Sequence, residues 1–154
     1  MSTIEESIEV KVPLTTAYNQ WTQFEDFPKF MEGVEKVAQI DDKTLEWVAN
    51  VKGQTRTFTA RITEQKPDER IAWTVEGGPW HAGVVTFHRI DDTTTRIMLQ
   101  MEYDPEGIVE RAGDALGFVK RQVRGDLERF KGFIESRGAE TGAWRGQIDE
   151  KKAG

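Results

Sequence analysis

A chain of 154 residues suits one domain and is long enough to bury a real core. With 37 % hydrophobic residues, 31 % charged residues and a net charge of −6, it lacks the basic excess that nucleic acid or an anionic membrane surface demands, so neither partner is expected. The absence of cysteine removes disulfides, thiolate nucleophiles and cysteine–zinc sites, and two histidines in the whole chain give no metal-ligand spacing; no metal and no cofactor are expected.

No apolar run approaches the ~20 residues needed to span a bilayer, so no transmembrane segment is expected. Met1 to Glu6 has neither the basic start nor the apolar centre of a secretory signal, and the cytoplasm is the expected compartment. Ile4, Ile8, Val10 and Val12 share one parity against Glu5, Glu9 and Lys11, which predicts a half-buried first strand. Pro13 stops that strand and opens a short helix carrying Ala17 and Trp21 on one face. Asp26-Phe27-Pro28 starts a second short helix with Phe30 and Met31, and Gly33 releases the chain into strand two, around Val34 to Ile40.

Strand three alternates with Leu45, Trp47, Ala49 and Val51 inward, and Lys52-Gly53 is a hairpin turn. Strand four continues with Arg56, Phe58, Ala60 and Ile62 on the inner face, ending at the turn Lys66-Pro67-Asp68-Glu69. Strand five puts Ile71, Trp73 and Val75 inward, and Gly77-Gly78-Pro79 breaks it. Strand six runs from about His81 to Ile90, and strand seven places Ile97, Leu99, Met101 and Tyr103 on one parity. A three-residue loop at Asp92-Thr93-Thr94 pairs Phe87 with Leu99, Val85 with Met101 and Gly83 with Tyr103, and it places His81 on the same inner face.

Asp104-Pro105 pairs a capping acceptor with a first-turn proline and predicts a helix from about Pro105 to about Ser136, stopped by Gly138. Its apolar stripe is thin at first (Ile108, Ala112, Ala115, Val119) and thick later (Val123, Leu127, Phe130, Ile134). Residues 1–137 form the expected ligand-cavity domain; 138–154, polar and glycine-containing, form an expected mobile tail.

Several stretches carry a resemblance: Val10-Lys11-Val12-Pro13 with Ala17 and Trp21, the run Phe24 to Met31, Arg70-Ile71-Ala72-Trp73, and Asp126-Leu127 with Phe130-Lys131. In these, and in its element order, the chain resembles the START-like (helix-grip, birch-pollen-allergen-like) superfamily over about residues 4–136. Within that superfamily it is similar to the polyketide cyclase/dehydratase and coenzyme-Q-binding START-like branch. The resemblance implies an α+β helix-grip fold: a seven-stranded curved antiparallel sheet wrapped around a long C-terminal helix, with two short helices between strands one and two. Superfamily members bind lipids, sterols, quinones, polyketides or plant metabolites, and some are enzymes. The resemblance assigns no catalytic residue here.

Interiors normally fill to about 0.74 density, so a thin helix stripe facing a sheet predicts a cavity and a ligand. Its expected lining is Ala112, Ala115 and Phe118 on the helix, facing Trp73, Val75, Gly83, Val85, Met101 and Tyr103. Trp47 and Phe58 supply the middle of the sheet, His81 lies near the Tyr103 end, and Phe27, Phe30 and Met31 form a lid over the other mouth. Trp47 and Trp73 also read as plain core residues. Tyr103 orients a ligand or satisfies a backbone group; His81 is a general base, a ligand donor or a surface residue; Arg56 reaches a ligand oxygen or snorkels to solvent.

The expected partner is therefore a hydrophobic small molecule, lipid-, quinone- or polyketide-like, that is bound or carried. One alternative is a cyclase or dehydratase that moves protons next to carbonyls, with His81 and Tyr103 as catalytic candidates. The other is a protein-interaction domain, for which Trp80 and Trp144 are the available apolar contacts.

Overall fold

The computed structural model describes residues 2–51, 53–76, 80–103 and 112–149. Strand β1 (Ser2–Val10) leads into helix α1 (Leu14–Trp21) and a 3-10 helix (Phe24–Lys29). Six strands follow: β2 (Val34–Asp41), β3 (Thr44–Val51), β4 (Gln54–Lys66), β5 (Arg70–Glu76), β6 (Trp80–Asp91) and β7 (Thr94–Tyr103). Helix α2 (Ala112–Arg137) and a two-residue strand β8 (Ile148–Asp149) complete the order. The sheet runs β1-β7-β6-β5-β4-β3-β2, antiparallel throughout, and β8 adds to β4. This is the α+β helix-grip architecture expected from the sequence, with one small strand more.

The core lies between the inner sheet face and α2. Val119, Val123, Leu127, Phe130 and Ile134 recur at helical spacing and are all buried. Against them sits an aromatic cluster around Trp21, whose ring meets Phe130 at 5.0 Å, Phe27 at 5.7 Å and Phe87 at 6.2 Å, all edge-on. Gly138, at φ 73°, donates its N–H to the Ile134 carbonyl at 2.9 Å and ends the helix in the left-handed conformation that glycine adopts without penalty.

The β6–β7 register differs from the expected one. Phe87 stands opposite Ile97, Val85 opposite Leu99 and Gly83 opposite Met101, and the loop has two residues, Asp92-Thr93. The Asp91 carboxylate causes the tightening by accepting from both the N–H and the hydroxyl of Thr93. A slip of two keeps every side chain on its expected face. His81 is the exception. A register break between Trp80 and Ala82 inserts one residue there and turns the histidine out to solvent.

The segment expected to be a mobile tail is placed against the domain over residues 139–149. Thr141 exchanges hydrogen bonds with the Gln20 amide and donates to Asp26 at 2.5 Å. The Trp144 N–H reaches the Thr22 hydroxyl, and Arg145 grips Asp68 through two hydrogen bonds of 3.0 and 2.8 Å. Ile148, 6 % exposed, is buried where β8 meets β4. The polar composition that suggests disorder serves as a row of hydrogen-bond partners for the polar side of α1. Trp144 is half-buried and packs on the core, and the Trp80 side chain lies outside the described residues.

Candidate functional site

The inner face of β3, β4 and β5 carries alternating large and small side chains: Leu45, Trp47, Ala49, then Phe58, Ala60, Ile62, then Ile71, Trp73, Val75. Where Ala49 and Ala60 stand, the sheet contributes only a methyl group. Helix α2 crosses above them and the end of α1 with the 3-10 helix closes the side, leaving a cavity of about 140 Å³. Its walls are apolar and aromatic. Trp47 stacks on Phe58 (5.9 Å, 14° between planes) and Phe27 approaches Trp47 at 5.5 Å.

Of the expected lining residues, Trp47, Phe58, Trp73, Val75 and Met101 face this cavity, as do Phe27 and Met31 from the expected lid. Phe30 does not: it is buried in the core, with ring contacts to Phe130 and Phe133. Val85 is fully buried in the core, paired with the lining residues Ile71 and Leu99 but not itself among the described lining. Gly83 makes room for a different ring than expected. A Cβ built there would lie 2.4 Å from the Trp73 indole, so its missing side chain seats Trp73, its neighbour on β5. His81 is exposed and outside the described lining. The side chains of Tyr103, Ala112, Ala115 and Phe118 lie outside the described residues, as do Ile108 and the Asp104-Pro105 helix start.

Among the described residues, α2 contributes Gln122, Val123, Asp126 and Leu127, from the middle of the helix. Gln122 and Asp126 sit one turn apart beside the inward Val123 and Leu127, where charge alternation reads as a solvated face. The available signal was Gly33: a Cβ there would meet the Gln122 amide at 2.5 Å, so the glycine lets that side chain lie against the loop.

Asp126 is the only titratable residue among the described lining residues. Its Oδ1 accepts the Arg129 guanidinium at 2.6 Å and the Glu32 N–H at 3.2 Å. Burial raises its pKa, outweighing both of those hydrogen bonds and the nearby Arg129 charge, and the carboxyl is pushed up to about 6. The Trp47 Nε1 is buried with no hydrogen-bond partner among the described residues, and so is the Nε of half-buried Arg56. No group of three or more metal-ligating side chains occurs among the described residues.

Residues 10–131 match the family model for polyketide cyclase/dehydrase and lipid transport. The chain belongs to this family. The family's description spans two activities, polyketide cyclisation or dehydration and lipid transport. A relative from Streptomyces lincolnensis, described as an uncharacterized 17.2 kDa protein in the melC2-rnhH intergenic region, is 62 % identical over 149 residues, covering 96 % of this chain and 99 % of its own. The fold is shared with Zhui aromatase/cyclase from Streptomyces sp. R1128, with TM-score 0.76 at 18 % identity over 93 % of this chain and 99 % of that one. It is also shared with a START superfamily protein from Mycobacterium smegmatis, with TM-score 0.67 at 15 % identity over 88 % and 95 %. Among the described residues no helix is long and apolar enough to cross a membrane.

Proposed function

We propose that the protein binds and carries a hydrophobic small molecule, lipid-, quinone- or polyketide-like, in the cavity between sheet and α2. The observation that carries this reading is an unfilled volume of about 140 Å³ inside an otherwise packed domain. Empty apolar space forfeits dispersion contacts and is costly to keep, and a ligand restores them. Trp47, Phe58, Trp73, Val75 and Met101 are the proposed ligand contacts, and Phe27 with Met31 the proposed door.

Ala49→Phe tests it. The new ring points into the cavity, so it should abolish binding of a hydrophobic fluorescent dye while changing unfolding free energy by less than about 1 kcal/mol, below the 1–3 kcal/mol typical of overpacking. A dye that ignores the wild-type protein, together with mass spectra that always show it empty, would count decisively against a carrier.

A cyclase or dehydratase reading is favoured by one observation, the Asp126 carboxyl. A group titrating near 6 at an apolar cavity suits proton transfer at carbons next to carbonyls. On a poly-β-ketone substrate, turnover by the wild type that vanishes in Asp126→Asn supports this reading; binding without turnover in both leaves the carrier.

A further inference from the structure

The polar groups of this cavity are few and unevenly spent. Asn50 turns its side-chain oxygen to the Gly53 N–H at 2.9 Å. Asp126 uses Oδ1 for both of its hydrogen bonds, and its Oδ2 accepts none among the described residues. The Gln122 side chain, one turn earlier on the same face of α2, makes no hydrogen bond among the described residues. The Trp47 indole N–H is buried and unpartnered across an otherwise apolar lining. Buried polar groups are normally satisfied, so the idle Trp47 N–H marks a place for a ligand's polar atom, and the half-buried Gln122 amide and Asp126 Oδ2 offer two more partners on the facing helix.

We infer that the site selects a neutral, single-ring hydroxylated molecule, such as a phenol or a ring enol, whose hydroxyl donates to Asp126 Oδ2 while Gln122 or Trp47 donates to ligand oxygen. This rests on the cavity being a ligand site. Size favours a single ring: an apolar cavity of about 150 Å³ holds one benzene, and the volume bounded by the described residues is about 140 Å³. Charge sets the head group. An anionic head meets a carboxylate with no second cation on it, and the charges around Asp126 are Arg129 on α2 and Glu32 on the loop before β2. A cationic head is disfavoured because Arg129 already faces the carboxylate, and an ammonium would be stripped of water among indole and phenyl rings. A hydroxyl has neither cost and gains a hydrogen bond to a charged acceptor. The same argument disfavours a fatty-acid carboxylate at this position.

Calorimetric titration with four probes of matched size tests the head group: 4-ethylphenol, 4-ethyltoluene, 4-methylbenzoate and 4-methylbenzylamine. Wild-type protein should bind the phenol at least as tightly as the more hydrophobic hydrocarbon, and the two charged probes about tenfold more weakly or worse. Asp126→Asn should weaken the phenol about tenfold, as expected for loss of one hydrogen bond to a charged group. It should tighten the benzoate and leave the hydrocarbon within about twofold, which also verifies that the variant is folded. Gln122→Leu should move the phenol in the same direction by a smaller factor. Preference of the wild type for benzoate or benzylamine, or phenol binding indifferent to both substitutions, overturns the head-group assignment while leaving a hydrophobic site. Failure of the hydrocarbon as well as the phenol to bind wild-type protein overturns the ligand site itself, and this inference with it.

Discussion

At Asp126, burial and chemistry meet in one carboxyl. Its folded pKa of about 6 lies above the ordinary carboxylate value, so the folded state holds the proton more tightly than the unfolded chain does. The cost of the ionised form is absent below about pH 4, develops between about pH 4 and 6, and is complete above that. A tenfold change in proton affinity is worth about 1.4 kcal/mol, so the whole effect is on the order of 3 kcal/mol. Asp126→Asn cannot titrate. Urea unfolding of both proteins from pH 4.5 to 7.5 should show the wild type losing stability relative to the variant as pH rises through 6, with no further change beyond 7. Parallel curves would contradict the buried-carboxyl account. Gly83 makes a second residue-scale test. A Cβ at 83 cannot coexist with the Trp73 ring in place, so Gly83→Ala should cost about 1–3 kcal/mol in chemical denaturation and disturb ligand binding through Trp73, whereas His81→Ala should disturb neither. Alternation made Trp47, Phe58 and Trp73 legible as inward residues. His81 was not legible, because a one-residue bulge reverses parity without any mark in the local sequence.

At the scale of elements, the strap of residues 139–149 and the α1–3-10 segment belong together. On the α1–3-10 segment, the strap's hydrogen bonds fall on Asn19, Gln20, Thr22 and Asp26. Interleaved with them, Trp21, Phe24 and Phe27 line the cavity. The strap thus braces the outer side of the cavity wall. Its energetic contribution has a ceiling, because a damaged strap can lift off while the rest of the domain stays folded. Ile71→Ala, in the central sheet, should therefore cost the usual 2–5 kcal/mol, and Ile148→Ala should cost less, about 1–2 kcal/mol, although both isoleucines are buried. Hydrogen exchange would separate the two: faster exchange confined to α1 and the strap in Ile148→Ala, and global acceleration in Ile71→Ala. Equal losses would mean that the strap is an inseparable part of the core. Strand order and helix end were readable from period, parity and glycine. The docked strap was not, because hydrogen bonds between polar side chains leave no hydrophobic period; Trp144 and Ile148 were its only large apolar signals.

For the molecule as a whole, a sheet facing a helix with a thin stripe implied unfilled space. Among the described residues the small side chains that line the cavity are Gly33, Ala49 and Ala60, from the sheet and the loop before β2, while the side chains of the thin helix half lie outside the described residues. Membership of the polyketide cyclase/dehydrase and lipid transport family fits such an apolar volume. The central claim is that a small hydrophobic molecule enters it. Methyl-labelled NMR during titration with 4-ethyltoluene reads that claim directly. Saturable shifts are expected at the methyl groups of Ala49, Ala60, Ile62, Leu99, Met101 and Val123, with Ile40 and Ile90 on the surface unmoved. Shifts confined to the surface methyls, or none up to the solubility limit of the probe, would contradict it.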